Sequence, residues 1–393
     1  MEHIIWCIGH ELVLKDIVKA ENCFLYDSKG KKYLDLESGV WCTSIGHSNP
    51  RINQVIKSQI DKISHTGYCY ANPVIEESAK DILETLNFSE GKCVFLCSGS
   101  EAVEFGVRIA QCLSERPLLL TMTDSYFGAY GSASKRSEDE WYSFDWLKCS
   151  GCPSFEDCNP ECDRLLGIPF DKIGGFLFEP GSSSGLVRFP PKKLIQNITQ
   201  RVKGNNGLLI INEVTTGLGR TGEWYGYQHY DLQPDIVALG KGLGNGYPVS
   251  ITAITQHVFE KLENKPFKYS QSHQNDPLGA TVAREIIRVI REEKLIERSK
   301  VIGNYFIDKL RQLAHRYSAI KEVRGRGLMI AVEFSNSNSF LAALIQKELL
   351  NEGFIVASRP GANAIRIDPP LTIEEKDIAS FINSFEQVLK RIL

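Results

Sequence analysis

The sequence predicts an α/β protein built on a mainly parallel sheet, with a smaller α+β domain beside it. Short apolar runs recur through the middle of the chain at 93–97, 118–122, 175–178, 208–211, 236–239 and 249–254, without the polar alternation of a half-exposed strand. Several are followed by helix-like segments, and strands of that kind interleaved with helices indicate a sheet covered on both faces. From Pro277 the pattern changes, and long amphipathic helices take over.

The elements follow in order. Residues 50–63 place Ile52, Val55, Ile56, Gln59, Ile60 and Ile63 at helical spacing behind Pro50, a favoured first-turn residue. The six strands come next. Between Ser132 and Gly167 the pattern stops, and Ser, Asp, Glu, Pro and Cys fill a stretch too long for a simple connection. Beyond Pro277, helices run to about Tyr317. A strand follows at 327–334, a helix near 340–350, a strand at 365–367 and a closing helix from Ile373.

Composition bounds the function. The 393 residues suggest two or three folding units, and 45 Lys+Arg against 48 Asp+Glu give no surface biased toward nucleic acid. No run reaches the apolar length of a membrane helix, and the first residues lack the pattern of a secretory signal, so a cytoplasmic protein with no membrane partner is expected. All 11 cysteines lie at or before Cys162. An odd number without an export signal argues for reduced thiols rather than a disulfide scaffold.

The chemistry centres on Gly240-Lys241-Gly242-Leu243-Gly244-Asn245-Gly246, directly after the strand at 236–239. Open α/β sheets place ligands at the carboxyl ends of their strands, and a desolvated lysine there can lose its proton near neutral pH and attack a carbonyl. A solvated loop lysine is the alternative. Ser98-Gly99-Ser100-Glu101 lies where a helix begins, as an anion site or as a plain N-cap. Two further strands end in Glu179-Pro180 and in Asn212-Glu213-Val214-Thr215-Thr216-Gly217. Polar strand ends converging on a lysine and an anion site form an active-site layout.

These segments, with Gly46-His47-Ser48-Asn49-Pro50, Tyr126-Phe127-Gly128, Asn275-Asp276-Pro277 and Arg366-Ile367-Asp368-Pro369-Pro370, resemble the class III, pyridoxal-phosphate-dependent aminotransferases, the ornithine and ω-amino acid:pyruvate enzymes among them. The resemblance implies fold type I, with a mainly parallel sheet of the seven-stranded type. It implies a large domain at 50–275 and a small domain drawn from 1–49 and 276–393. Pyridoxal 5′-phosphate is the implied cofactor, with Lys241 as Schiff-base lysine and proton shuttle. Ser98, Gly99 and Ser100 would form its phosphate turn, and Tyr126 and Val214 would flank its ring. Glu179, Asn212 and Thr215 would complete its surroundings. Ser272 stands where the family has a Thr that reaches the neighbouring subunit's phosphate, which implies a homodimer with shared sites. Arg366 matches the arginine that holds a substrate carboxylate, or else makes a surface ion pair. Trp41 resembles the pocket tryptophan of amine:pyruvate and β-alanine:pyruvate aminotransferases, or else fills the core.

The implied reaction is ping-pong amino transfer from an amine or amino acid to an oxo acid. An aminomutase, racemase or decarboxylase of the same fold, or a non-catalytic scaffold that keeps it, are the alternatives. Several positions depart from the family. Asn212 replaces the Asp that pairs with the pyridine nitrogen, Thr215 replaces a Gln, and Phe127 replaces a His. After Glu179-Pro180 the chain runs Gly181-Ser182-Ser183-Ser184, so the Glu that many members pair with the carboxylate arginine has no counterpart.

The insertion at about 132–167 has no family counterpart. Its Cys149-x2-Cys152-x5-Cys158-x3-Cys162 spacing lets one loop wrap a tetrahedral ion, so a structural zinc is expected there. Four unrelated thiols or two disulfides are the alternatives. An iron-sulfur cluster fits less well, because the spacing matches neither common ferredoxin pattern.

Overall fold

The computed structural model describes residues 3–5, 12–184, 186–335, 340–359 and 361–393; the rest of the N-terminal segment assigned to the small domain lies outside them. Its centre is a seven-stranded sheet in the order Lys92–Leu96, Ser250–Ile254, Ile236–Leu239, Leu208–Asn212, Ile173–Phe178, Leu118–Met122, Trp141–Phe144. The strand Ser250–Ile254 runs antiparallel to both its neighbours. Every other pairing is parallel. This is the fold-type I sheet expected. Ile173–Phe178, Leu208–Asn212 and Ile236–Leu239 are buried at every residue, which is why they read as unbroken apolar runs.

The seventh strand, Trp141–Phe144, falls inside the segment where the sequence pattern breaks off. It is an edge strand, paired on one side only, to Leu118–Met122, and only its end residues, Trp141 and Phe144, are buried. The helix Gly99–Leu113, which follows the strand Lys92–Leu96, packs against Ser250–Ile254 and Ile236–Leu239 and carries a capping box between Ser98 and Glu101. Pro50–Ile60 and Pro277–Glu292 each begin with proline in the first turn, and they pack together.

Two four-stranded sheets flank this core. In one, Ile17–Glu21, Phe24–Asp27 and Lys32–Asp35 are joined by Phe354–Ile355, so the N-terminal strands pair with a strand near the C-terminus. The other contains Ile320–Arg326, Met329–Phe334, Ala364–Ile367 and Ala357–Ser358. It carries Arg366 and Asp368 toward the carboxyl ends of the central strands. Among the described residues, no helix is long and apolar enough to cross a membrane.

Candidate active site

The carboxyl ends of three parallel strands and the start of one helix enclose a cavity lined by Gly99, Ser100, Tyr126, Asn212, Thr215 and Lys241, among others. Seven of the residues expected from sequence meet there, Val214 being the seventh.

Lys241 follows the strand Ile236–Leu239 with φ of 45°, a left-handed conformation that costs a non-glycine residue energy and turns its side chain into the cavity. Its Nζ donates to Thr215 Oγ1 at 3.1 Å and stands 5.0 Å from the centre of the Trp41 ring. Burial disfavours the ammonium form and pushes the pKa down to about 8, against the opposing pull of Cys42 and the Glu179 carboxylate.

The helix Gly99–Leu113 begins at the opposite side. Ser98 is the cap: its hydroxyl accepts from Glu101 N at 3.3 Å, so this side chain serves the helix, and the cavity wall begins at Gly99. The Gly99 and Ser100 N–H groups, as the first two of the helix, have no intrahelical acceptor. A side chain at Gly99 would lie 2.6 Å from Val214 Cγ1, so the backbone can approach a ligand here only as glycine. Ser100 Oγ accepts from Ala129 N at 3.0 Å, tying the Tyr126–Ala129 loop to the helix start.

Asn212 is 3% exposed. Its Oδ1 accepts from Val214 N at 3.1 Å and its Nδ2 donates to Tyr126 O at 3.0 Å. A main-chain N–H only donates and a carbonyl only accepts, so the two partners fix which way the amide points. Glu179 does not line the cavity. It is buried beneath, where Oε2 accepts from Tyr126 N at 3.0 Å and Oε1 from Ser183 Oγ at 2.5 Å, and burial pushes its pKa up to about 7. It therefore positions the Tyr126 loop. Ser272 also lies outside the cavity, on an exposed loop.

Above Lys241 sits a compact charged stack. The Arg366 guanidinium lies 3.9 Å from the centre of the Trp41 ring, and Trp41 Nε1 donates to Asp368 Oδ2 at 3.0 Å. Asp368 takes Arg366 side-on, with Nε to Oδ2 at 2.7 Å and Nη2 to Oδ1 at 3.1 Å, while Nη1 donates to Ser183 O at 3.0 Å. Arg366 is 1% exposed and Asp368 fully buried. The surface ion pair considered from sequence is thus a buried one. Asp368 is the residue sequence reasoning missed: it stands just past the strand Ala364–Ile367, two positions after Arg366, close enough in number to share its face.

The four insertion cysteines line a separate cavity. Among the described residues, no cysteine is in a disulfide, and the three-residue group whose ligand atoms lie within 4.8 Å of one another is His65, His273 and Asp276. The cysteine sulfurs are not drawn together to that degree.

Residues 8–389 match the profile of the family described as "Aminotransferase class-III". The chain belongs to the class III aminotransferases. It is 29% identical over 381 residues to an acetylornithine aminotransferase of Aquifex aeolicus, covering 95% of this chain and 96% of that one. It is 27% identical over 402 residues to a leucine/methionine racemase of Thermococcus litoralis, covering 95% and 90%. A solved acetylornithine aminotransferase from Elizabethkingia anophelis superposes with a TM-score of 0.84 at 26% identity, covering all of this chain and 97% of that one. A Bacillus anthracis aminotransferase superposes at 0.90 with 23% identity, again covering all of this chain and 97% of that one, a likeness of fold. Class III membership implies pyridoxal phosphate, and the cavity suits it: donors for an anion at one end, a lysine at the other, and Tyr126 and Val214 on the walls between.

Proposed function

We propose that this class III aminotransferase takes amino groups from amines or ω-amino acids in preference to α-amino acids, and passes them to an oxo acid, with Lys241 as the reacting residue. Pyridoxal 5′-phosphate, when bound, supplies the aldehyde that holds the amino group and a ring that withdraws electrons. The carrying observation for the reacting residue is the desolvated Nζ of Lys241, with a pKa near 8. At neutral pH an appreciable fraction is the free amine, the form able to attack a carbonyl and later to take the proton from the donor Cα.

The other residues bind and orient. The Gly99 and Ser100 N–H groups hold the phosphate with the helix dipole behind them. Val214 and Tyr126 flank the ring, and the Glu179 hydrogen bond keeps the Tyr126 loop in place. Thr215 Oγ1 accepts from Lys241 Nζ and so aims its proton-carrying nitrogen. Ser272, exposed and outside its own cavity, fits a homodimer in which each subunit completes the other's site.

The donor preference rests on Arg366. A carboxylate placed beside the reacting carbon would share a buried guanidinium with Asp368, and two anions in one low-dielectric site repel, a penalty that falls on α-amino donors and 2-oxo acceptors alike, so the acceptor that fits has its carboxylate away from the oxo carbon. Trp41 adds an apolar wall. Donors scored by conversion of the cofactor to its amine form should rank amines and ω-amino acids first; turnover of α-amino acids alone would overturn the preference. Racemisation is the second reading, favoured by Asn212, whose neutral amide offers the ring nitrogen no carboxylate partner. Inversion of a chiral amino acid without any oxo acid would select it.

A further inference from the structure

Cys149, Cys152, Cys158 and Cys162 all face one cavity of about 600 Å3, together with Lys148 and Arg164. The loop that carries them is a series of turns: Cys152 N donates to Cys149 O at 2.9 Å, Phe155 N to Cys152 O at 3.1 Å and Cys162 N to Asn159 O at 3.2 Å. It is tied down from outside. Asn197 Nδ2 donates to Cys158 O at 2.8 Å and Arg201 Nη2 to Pro160 O at 2.7 Å, both from the helix Lys192–Gly204. Four thiols held around one space, none in a disulfide, form a ligand set.

The separation of the sulfurs decides what it suits. Tetrahedral zinc holds each sulfur at about 2.3 Å, which places any two about 3.8 Å apart. No three of these sulfurs form a group close enough to hold one ion, as His65, His273 and Asp276 do. In an iron-sulfur cluster the thiolates are shared among several irons with sulfide between them, so the sulfurs stand apart around a filled volume rather than a point. The cavity is far larger than a single ion; Lys148 and Arg164, with Asp163 as the one carboxylate, line its wall, which suits the net negative charge of any four-thiolate site, so it is the volume that favours the cluster. The geometry reverses the order of zinc and cluster that spacing alone suggests.

We propose that the four cysteines ligate an iron-sulfur cluster, remote from the Lys241 cavity. The two cavities share no lining residue. The cluster loop nevertheless reaches the active-site loop through Trp146, which stacks on Phe155 at 6.4 Å and donates Nε1 to Asp124 Oδ1 at 2.8 Å, two residues before Tyr126. The cluster therefore braces the side of the Tyr126 loop.

The test is protein purified without oxygen, then treated with iron(III), a thiol reductant and sulfide if it emerges empty. Iron and acid-labile sulfide are counted per chain, zinc is measured in parallel, and the dithionite-reduced protein is examined by electron paramagnetic resonance, to which the pyridoxal cofactor contributes nothing. The expected result is iron and sulfide in equal amounts, on the order of two to four of each per chain, with a paramagnetic signal on reduction. Cys152→Ser should lose both while borohydride still fixes pyridoxal phosphate to Lys241. About one zinc per chain without iron, or four titratable thiols with no metal after reconstitution, would overturn the proposal.

Discussion

Replacing Asn212 by Asp puts a carboxylate where other class III enzymes have one, and the structure sets two opposing consequences. Oδ1 can keep the Val214 N–H bond. The other oxygen would face Tyr126 O at the 3.0 Å now spanned by an N–H donor, with no proton between them. Without cofactor, the variant loses one hydrogen bond and leaves a buried acceptor unpaired, about 1–3 kcal/mol of stability. With cofactor, the carboxylate would have the ring nitrogen as a partner, as the family resemblance implies, and would favour its protonated form. A charge-assisted hydrogen bond is worth about 1.5–3 kcal/mol, or roughly one to two orders of magnitude in the proton-transfer step if felt fully at the transition state. Two measurements check this: melting temperature with and without pyridoxal phosphate, and single-turnover conversion of the cofactor by one donor. The variant should melt lower when empty, gain more from the cofactor than the parent, and turn over faster. A variant that is slower, and no more stabilised by cofactor, would refute the reasoning and favour racemisation on a neutral ring.

Three further outcomes follow from the site. Lys241, with its pKa lowered to about 8, should combine with pyridoxal phosphate at a rate that rises with pH through about 8 and levels off above it, because only the free amine attacks; a rate still climbing at pH 10 would place the lysine in solvent. Asp368→Asn should cost about 3–5 kcal/mol in chemical denaturation, since it leaves Arg366 buried without its counter-ion, and should lower the KM for carboxylate-bearing donors while that for simple amines stays put. Gly99→Ala should weaken cofactor binding measured by equilibrium dialysis, because the added methyl meets Val214 Cγ1 at 2.6 Å where the phosphate turn must close.

Much of the sheet was legible because burial on both faces erases alternation: the runs at 118–122 and 236–239 match their strands residue for residue. Trp141–Phe144 was not, since a four-residue edge strand set among charged residues, with its buried Trp141 and Phe144 on opposite faces, leaves no long apolar run. The C-terminal strand Ile320–Arg326 escaped for the same reason, its outward positions being Lys, Glu and Arg. In the site, Lys241, Gly99 and Asn212 could be found because glycine, small polar residues and a strand end mark them locally. The Arg366, Asp368 and Trp41 stack joins residues more than 300 positions apart, and only the folded chain brings Trp41 onto the guanidinium. Glu179 and Ser98 were found as motif members, but their partners make them supports: one holds Tyr126, the other caps a helix.

Lys241 is proposed to hold the cofactor and move the donor's proton. The most direct measurement is borohydride reduction of the holoenzyme, followed by proteolysis and mass mapping of the cofactor-bearing peptide. A single modified residue is expected, Lys241, in a peptide spanning the strand Ile236–Leu239 and the glycine-rich turn after it. A Lys241→Ala protein should carry no covalent cofactor after the same treatment. Modification at another lysine, or undiminished trapping in Lys241→Ala, would mean that Lys241 does not carry the cofactor.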